Sequence, residues 1–189
     1  MKDHKIALLI SGTGTNAMRI IQYQALASIC EFLVISTKEN TAMQGFCSAN
    51  YIEYREIYGK SDEINNEIQE ICKSREVSHI VLAGFLKQIN PSLISMFKGR
   101  IINLHPSLLP KFGGKGMFGR HVHQAVFDAK QIETGITIHE VSEEYDKGTI
   151  IAQFKISLSP DDTVDKIEEK IKVLEQKYFP DVVIKFITE

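Results

Sequence analysis

Apolar residues along this chain follow two rhythms. Short, unbroken, β-branched runs at Ile6–Ile10, Phe32–Ser36, His79–Ala83 and 100–104 have the length and composition of strands buried on both faces. Tyr51–Ile57 is more polar and predicts a short third strand. Helices are expected over about residues 16–27 and 41–49. Another is expected over 61–74, where Ile64, Ile68, Ile71 and Cys72 recur at helical spacing. Asn90-Pro91 opens a short helix through a capping side chain and a preset φ. This alternation implies a mostly parallel sheet flanked by helices, an α/β Rossmann-like architecture. The rhythm then changes. After a helix at 119–129, Thr134–Val141 and Thr149–Ser157 alternate as half-buried strands, a hairpin-like end to the sheet. Asp161-Asp162-Thr163 starts an amphipathic helix that runs to about Tyr178, with Val164, Ile167, Ile171 and Leu174 inward, and Asp181–Ile187 forms a separate short helix. Without linker, repeat or low-complexity tract, residues 1–189 are expected to form one domain.

Composition narrows the partners. A net charge of −2 provides no basic field for nucleic acid. Met1–Ile6 leads straight into a five-residue apolar run, too short for a signal peptide or a membrane span. Cys30, Cys47 and Cys72 are odd in number and widely spaced, and they read as buried thiols in a reducing compartment. A cytoplasmic protein with small-molecule partners is expected; oligomeric state is not legible.

The chemistry concentrates at Asn103-Leu104-His105-Pro106-Ser107-Leu108-Leu109-Pro110. Strand alternation puts Asn103 and His105 on one side, just where proline stops the strand. An amide can donate to a developing oxyanion, and an imidazole can move a proton near neutral pH. The alternative is a strand-end pair satisfied by loop backbone. Gly12-Thr13-Gly14-Thr15-Asn16 is a glycine turn between a strand and a helix, the geometry of a phosphate site. Its spacing also fits a loose dinucleotide fingerprint, but Ser36-Thr37-Lys38 stands where that reading needs an acid. A purely structural turn is the third option. Gly113-Gly114-Lys115-Gly116-Met117 lacks the Ser/Thr of a P-loop and reads as a mobile cover or an ordinary surface loop. His121 and His123 diverge on a helix, which favours a supporting role over a metal, and no metal is expected. Asp146 sits in a turn between strands, where aspartate commonly bonds its own backbone. Folded back over the strand ends, it would instead orient His105 and raise its pKa.

Five segments then align with one family, in family order: Ile10–Asn16, Val81–Phe85, Asn103–Lys111, Gly135–His139, and Tyr145–Gly148 followed by Ile150-Ile151. The chain resembles the folate-dependent phosphoribosylglycinamide formyltransferases of purine synthesis. The resemblance implies the formyltransferase fold and transfer of a formyl group from 10-formyltetrahydrofolate to the amine of phosphoribosyl glycinamide, without metal. By the same resemblance Asn103, His105 and Asp146 match the catalytic set. Gly14, Thr15 and Asn16 match the phosphate loop, with Gly12 and Thr13 of the same turn expected beside them at the substrate, and Glu175 matches a substrate-binding acid. Leu86, Lys87, Gln88 and Ile89, with Asn103, match the folate pocket. Lys87 replaces an arginine of many relatives and loses its bidentate fork. Lys60 and Ser61 stand near a missing arginine, and the Phe112–Gly119 loop is longer than in many relatives. These departures bear on cofactor contacts more than on chemistry. Other folate-dependent formyl enzymes are the nearest rival reading, and a non-catalytic nucleotide-binding module is a distant one.

Overall fold

The computed structural model describes residues 4–189. The expected lead-in Met1–Asp3 therefore lies outside the described residues. One sheet contains β1 (His4–Ile10), β2 (Cys30–Ser36), β3 (Glu53–Glu56), β4 (His79–Leu82), β5 (Ile101–His105), β6 (Glu133–Glu140) and β7 (Ile150–Ser157). Their spatial order is β3-β2-β1-β4-β5-β6-β7. The first five strands in that order run parallel, and β6 is antiparallel to both β5 and β7. The helices are α1 (Thr15–Gln22), α2 (Gln24–Ile29), α3 (Thr41–Ala49), α4 (Ser61–Ser74), α5 (Pro91–Met96), α6 (Arg120–Asp128) and α7 (Val164–Thr188).

Strand alternation divides the core into two layers. Ile6, Leu8 and Ile10 of β1 face α1, α3, α6 and α7 together with Ile102, Leu104, Ile136 and Ile138. Ala7 and Leu9 face α4 and α5 with Ile80, Leu82 and Ile101. Each such aliphatic side chain contributes roughly 1.5–3 kcal/mol on burial, so a one-residue slip of any central strand would exchange both layers and is strongly disfavoured. Strand order reverses between β1 and β4, and ligand crevices of open α/β sheets lie at the carboxyl ends beside such a switch point. The turns after β1 and β4 are tied there: Ser11 N–H donates to Gly84 O at 3.0 Å, and Leu86 N–H donates to Ser11 Oγ at 3.0 Å.

Two helical expectations need correction. The predicted helix over 16–27 is two helices meeting at Tyr23, whose extended backbone (φ −73°, ψ 110°) ends one and starts the other. The predicted break before Asp181 is absent, and α7 runs through Pro180. Proline lacks the N–H that would bond the carbonyl four residues earlier. That carbonyl belongs to Gln176, and Arg19 Nε on α1 donates to it at 3.2 Å. Tyr23 also bonds Asp181 across the same seam. The tertiary contacts thus satisfy what the proline leaves open. The third strand is shorter than expected, Glu53–Glu56 rather than 51–57, as befits a sheet edge.

Candidate active site

β5 delivers Asn103 and His105 to the carboxyl end of the sheet, and the antiparallel β6 sets His139 opposite Asn103 and Thr137 opposite His105. Partners in register point to the same side, so four polar side chains converge at one corner. Asn103 Nδ2 lies 3.2 Å from His139 Nε2. His139 Nδ1 lies 2.7 Å from Glu140 O. A carbonyl only accepts, so Nδ1 carries a hydrogen, while Nε2 faces both the Asn103 amide and Asp146. The amide keeps a second donor for a ligand.

The 141–149 connection folds back over this corner. Asp146 Oδ2 stands 3.5 Å from His105 Nδ1, and Oδ1 stands 3.5 Å from His139 Nε2. Gly114 N–H donates to Asp146 Oδ2 at 2.8 Å. Asp146 has φ 55°, a left-handed conformation that aspartate and asparagine tolerate better than most side chains. A Cβ on Gly113 would come 3.3 Å from Asp146 Cβ and would overlap Leu109, so glycine permits this close approach.

His105 is 3% exposed, and its Nε2 donates to Phe112 O at 2.8 Å. Its neutral ring therefore presents the Nδ1 lone pair toward Asp146. Burial pushes the imidazole pKa down; Asp146 and the Phe112 carbonyl push it up, and the positive form of His139 pushes it down. The net value lies below the ordinary one. The expectation of a raised pKa is thus corrected: Asp146 acts in the expected direction, and desolvation outweighs it. For Asp146, burial works to raise the carboxyl, yet His139, the Gly114 N–H and His105 together hold it below the usual range.

Beside this corner opens a cleft of about 140 Å³. Leu86, Lys87, Gln88, Ile89 and Asn103, the residues expected at a folate pocket, all line it, as do His139 and Asp146. Phe118 and Tyr145 lie on its rim and are partly exposed. Lys60, near the missing arginine, stands at the N-cap of α4 instead, its N–H bonded to Glu63 Oε2 at 2.7 Å.

The Gly12–Asn16 turn lies after β1, two strands from β5, which sets it about 10 Å across the sheet from His105. No side chain caps the N-terminus of α1, whose Ncap Gly14 has φ 76°. Asn40 Nδ2 holds Gly12 O at 2.8 Å. Ser36 and Thr37 bond Lys38 O and Ser11, so no carboxylate ends β2 as a dinucleotide site requires. Glu175 of α7 accepts from Asn16 Nδ2 at 2.9 Å; its burial raises the carboxyl pKa, partly offset by that bond. His121 is exposed and stacks on Phe118, whereas His123 is buried. Among the described residues, no three His, Cys, Asp or Glu side chains are grouped to hold a metal. Sequence reasoning gave no role to His139 or to the Phe112 carbonyl. The signal for His139 was its place two residues beyond Thr137 on an alternating strand; its pairing with Asn103 needed the sheet register.

Fold and site together define a formyl transferase, and the chain belongs to that family, which is matched over residues 4–183. It is 33% identical to the phosphoribosylglycinamide formyltransferase of Haemophilus influenzae, over 98% of this chain and 87% of that protein. It is also 33% identical to the chloroplastic phosphoribosylglycinamide formyltransferase of Arabidopsis thaliana, over 95% of this chain and 64% of that longer protein. The crystal structure of phosphoribosylglycinamide formyltransferase from Bacillus halodurans superposes with a TM-score of 0.88 at 32% identity, covering 98% of this chain and 96% of that one.

Proposed function

We propose that this chain transfers the formyl group of 10-formyltetrahydrofolate to the primary amine of phosphoribosyl glycinamide, a step of de novo purine synthesis. The observation that carries this reading is the placing of three parts in series along the carboxyl end of the sheet. They are an uncapped helix start for a phosphate, the Asn103–His105–Asp146 corner about 10 Å away, and the cleft beyond it. A phosphoribosyl unit suits that separation. The folate would occupy the cleft lined by Leu86–Ile89.

The amine nitrogen attacks the formyl carbon, and its carbon–oxygen double bond becomes an oxyanion. The free N–H of Asn103 donates to that oxygen, a contact worth about 3–4 kcal/mol in barrier height. Neutral His105 accepts the amine proton at Nδ1, because Nε2 is committed to Phe112 O. Asp146 pairs with the imidazolium so formed. The proton then passes to the folate nitrogen as the carbon–nitrogen bond to it breaks, releasing tetrahydrofolate. Proton transfer of this kind contributes roughly a hundred- to ten-thousandfold. Residues 1–189 act as one domain in this reading, supported by the single sheet that carries both core layers. A cytoplasmic setting is supported by burial of all three cysteines, with the Cys47 and Cys72 thiols pushed up to about 11 and about 12. No helix among the described residues is long and apolar enough to cross a membrane.

The test is to supply ¹³C-formyl folate with the nucleotide and follow the label by NMR. Label in the nucleotide's new amide supports the reading; label in free formate alone contradicts it.

A further inference from the structure

Thr137 is fully buried at the centre of β6, directly opposite His105. Its hydroxyl donates to Ser107 O at 2.7 Å, accepts from Leu109 N–H at 3.0 Å, and accepts from Gln153 Nε2 at 2.9 Å. A hydroxyl has one hydrogen and two lone pairs, so its capacity is fully used. Two of the three partners are backbone groups of the turn that follows His105. β5 ends at His105, and no strand supplies bonds to Ser107 or Leu109; the Thr137 side chain takes over where the ladder stops. Gln153 of β7 reinforces the clamp by donating also to Leu109 O at 2.9 Å. Ser107, itself fully buried, closes the turn from within, its hydroxyl donating to Lys111 O at 2.7 Å. The next residue is Phe112, whose carbonyl holds His105 Nε2.

We infer that Thr137 is a positioning residue for the transfer reaction: by pinning the 107–109 turn it places the Phe112 carbonyl, and that carbonyl keeps the His105 hydrogen on Nε2 and leaves Nδ1 as the proton-accepting atom. The inference rests on the role proposed above for His105. Its physical content is a tautomer selection at one remove. The neutral imidazole has two tautomers, and the one bonded to a fixed carbonyl is favoured. If the carbonyl moves away, Nδ1–H facing the Asp146 carboxylate becomes the better arrangement, and that ring has no lone pair at the atom meant to accept the proton. A merely structural threonine would affect folding without changing which nitrogen bears the hydrogen.

The variant Thr137→Val keeps the shape of the side chain and removes the hydroxyl. Thr137→Ser restores it. His105 is read directly by ¹⁵N-detected tautomer and titration measurements on the folded protein, alongside kcat, KM and the pH profile. The groups facing His105 are Asp146 from the returning loop, His139 from β6 and, through its charge, His123 from α6, and all are retained. In Thr137→Val the Nδ1–H tautomer should gain population and kcat should fall about tenfold or more, with KM for both substrates nearly unchanged. The His105 titration should move to lower pH, because a hydrogen bond favouring the protonated ring is weakened. Thr137→Ser should behave as the parent. Gln153→Met, on the exposed edge strand, removes the Leu109 O contact without threatening the fold and should move the same readouts in the same direction by less. If Thr137→Val does not fold, the Gln153→Met result decides. An unchanged His105 tautomer and titration in the folded variants overturns the inference even where turnover falls. His105→Ala separates the two claims: full activity there would overturn the role of His105 itself, whereas an inactive His105→Ala beside an unaltered tautomer in Thr137→Val would overturn only the positioning role.

Discussion

Replacing Asp146 by asparagine removes one charge at the corner and little else. The side chain is 11% exposed, its Oδ2 accepts from Gly114 N–H, and its φ of 55° suits asparagine as well as aspartate. The variant should therefore fold. At 3.5 Å from His105 Nδ1, opposite charges attract by about 5 kcal/mol at an effective dielectric of about 20. Removing one member of a buried ion pair costs about 3–5 kcal/mol in measured cases. The pair exists in full only after His105 has taken the proton, because burial keeps the resting ring mostly neutral at pH 7. The loss therefore falls on the transition state, and each roughly 1.4 kcal/mol is tenfold in rate. kcat should fall by about two to three orders of magnitude, with substrate affinity largely kept. The sign of the pH effect follows from the same contact. Asp146 raises the pKa of His105, so its removal lowers that pKa further, and the ascending limb of kcat/KM, which reports deprotonation of His105, should move to lower pH. Steady-state kinetics from pH 5 to about 9, with nucleotide affinity measured by calorimetry, checks both parts. A pH profile that overlays the parent's, with kcat within a fewfold, would refute the reasoning and leave Asp146 as a turn former.

Three further outcomes follow from the structure. Gly12 has open space where a Cβ would be, so Gly12→Val should fold normally and raise KM for the nucleotide far more than for the folate; equal effects on both would remove the phosphate from that turn. Gly14→Val is a different test: with φ 76° and Met43 Cε in the way of a Cβ, it should lower Tm, and an unchanged Tm would contradict the strain argument. His79 is pulled from 6.5 to about 4, first by burial and then by His4 and Arg100, so its contribution is present above pH 6.5 and lost as pH falls through about 4. His79→Phe, which keeps the ring packed near Phe186, should flatten the loss of Tm between pH 7 and about 4, and a slope equal to the parent's would count against the assignment.

How much of this was legible in the residues depends on the range of the interaction. Ile6–Ile10 and Ile101-Ile102 announced buried strands because burial on both faces leaves an uninterrupted apolar run, and Asn103 with His105 shared a side by alternation alone. The helix at Ser61–Ser74 was readable because its apolar repeat is local. Pro180 misled because what offsets it, the Arg19 contact to Gln176 O, spans the fold. Asp146 had a turn reading better than its functional one until the 141–149 connection was seen to return over β5. His139 gained meaning only from the register that pairs it with Asn103. The net direction of the His105 pKa was missed for a related reason: the return of the Asp146 carboxylate over His105 could be read as an option along the chain, whereas the degree of burial belongs to the packed whole.

The most direct measurement supplies the purified protein with phosphoribosyl glycinamide and 10-formyltetrahydrofolate and quantifies formylated nucleotide and tetrahydrofolate together, for the parent, Asn103→Ala and His105→Ala. The account predicts the two products in equal amounts from the parent, and losses of about a hundredfold or more in each variant with nucleotide binding retained. Formate in place of formylated nucleotide, or parental turnover in both variants, would contradict it.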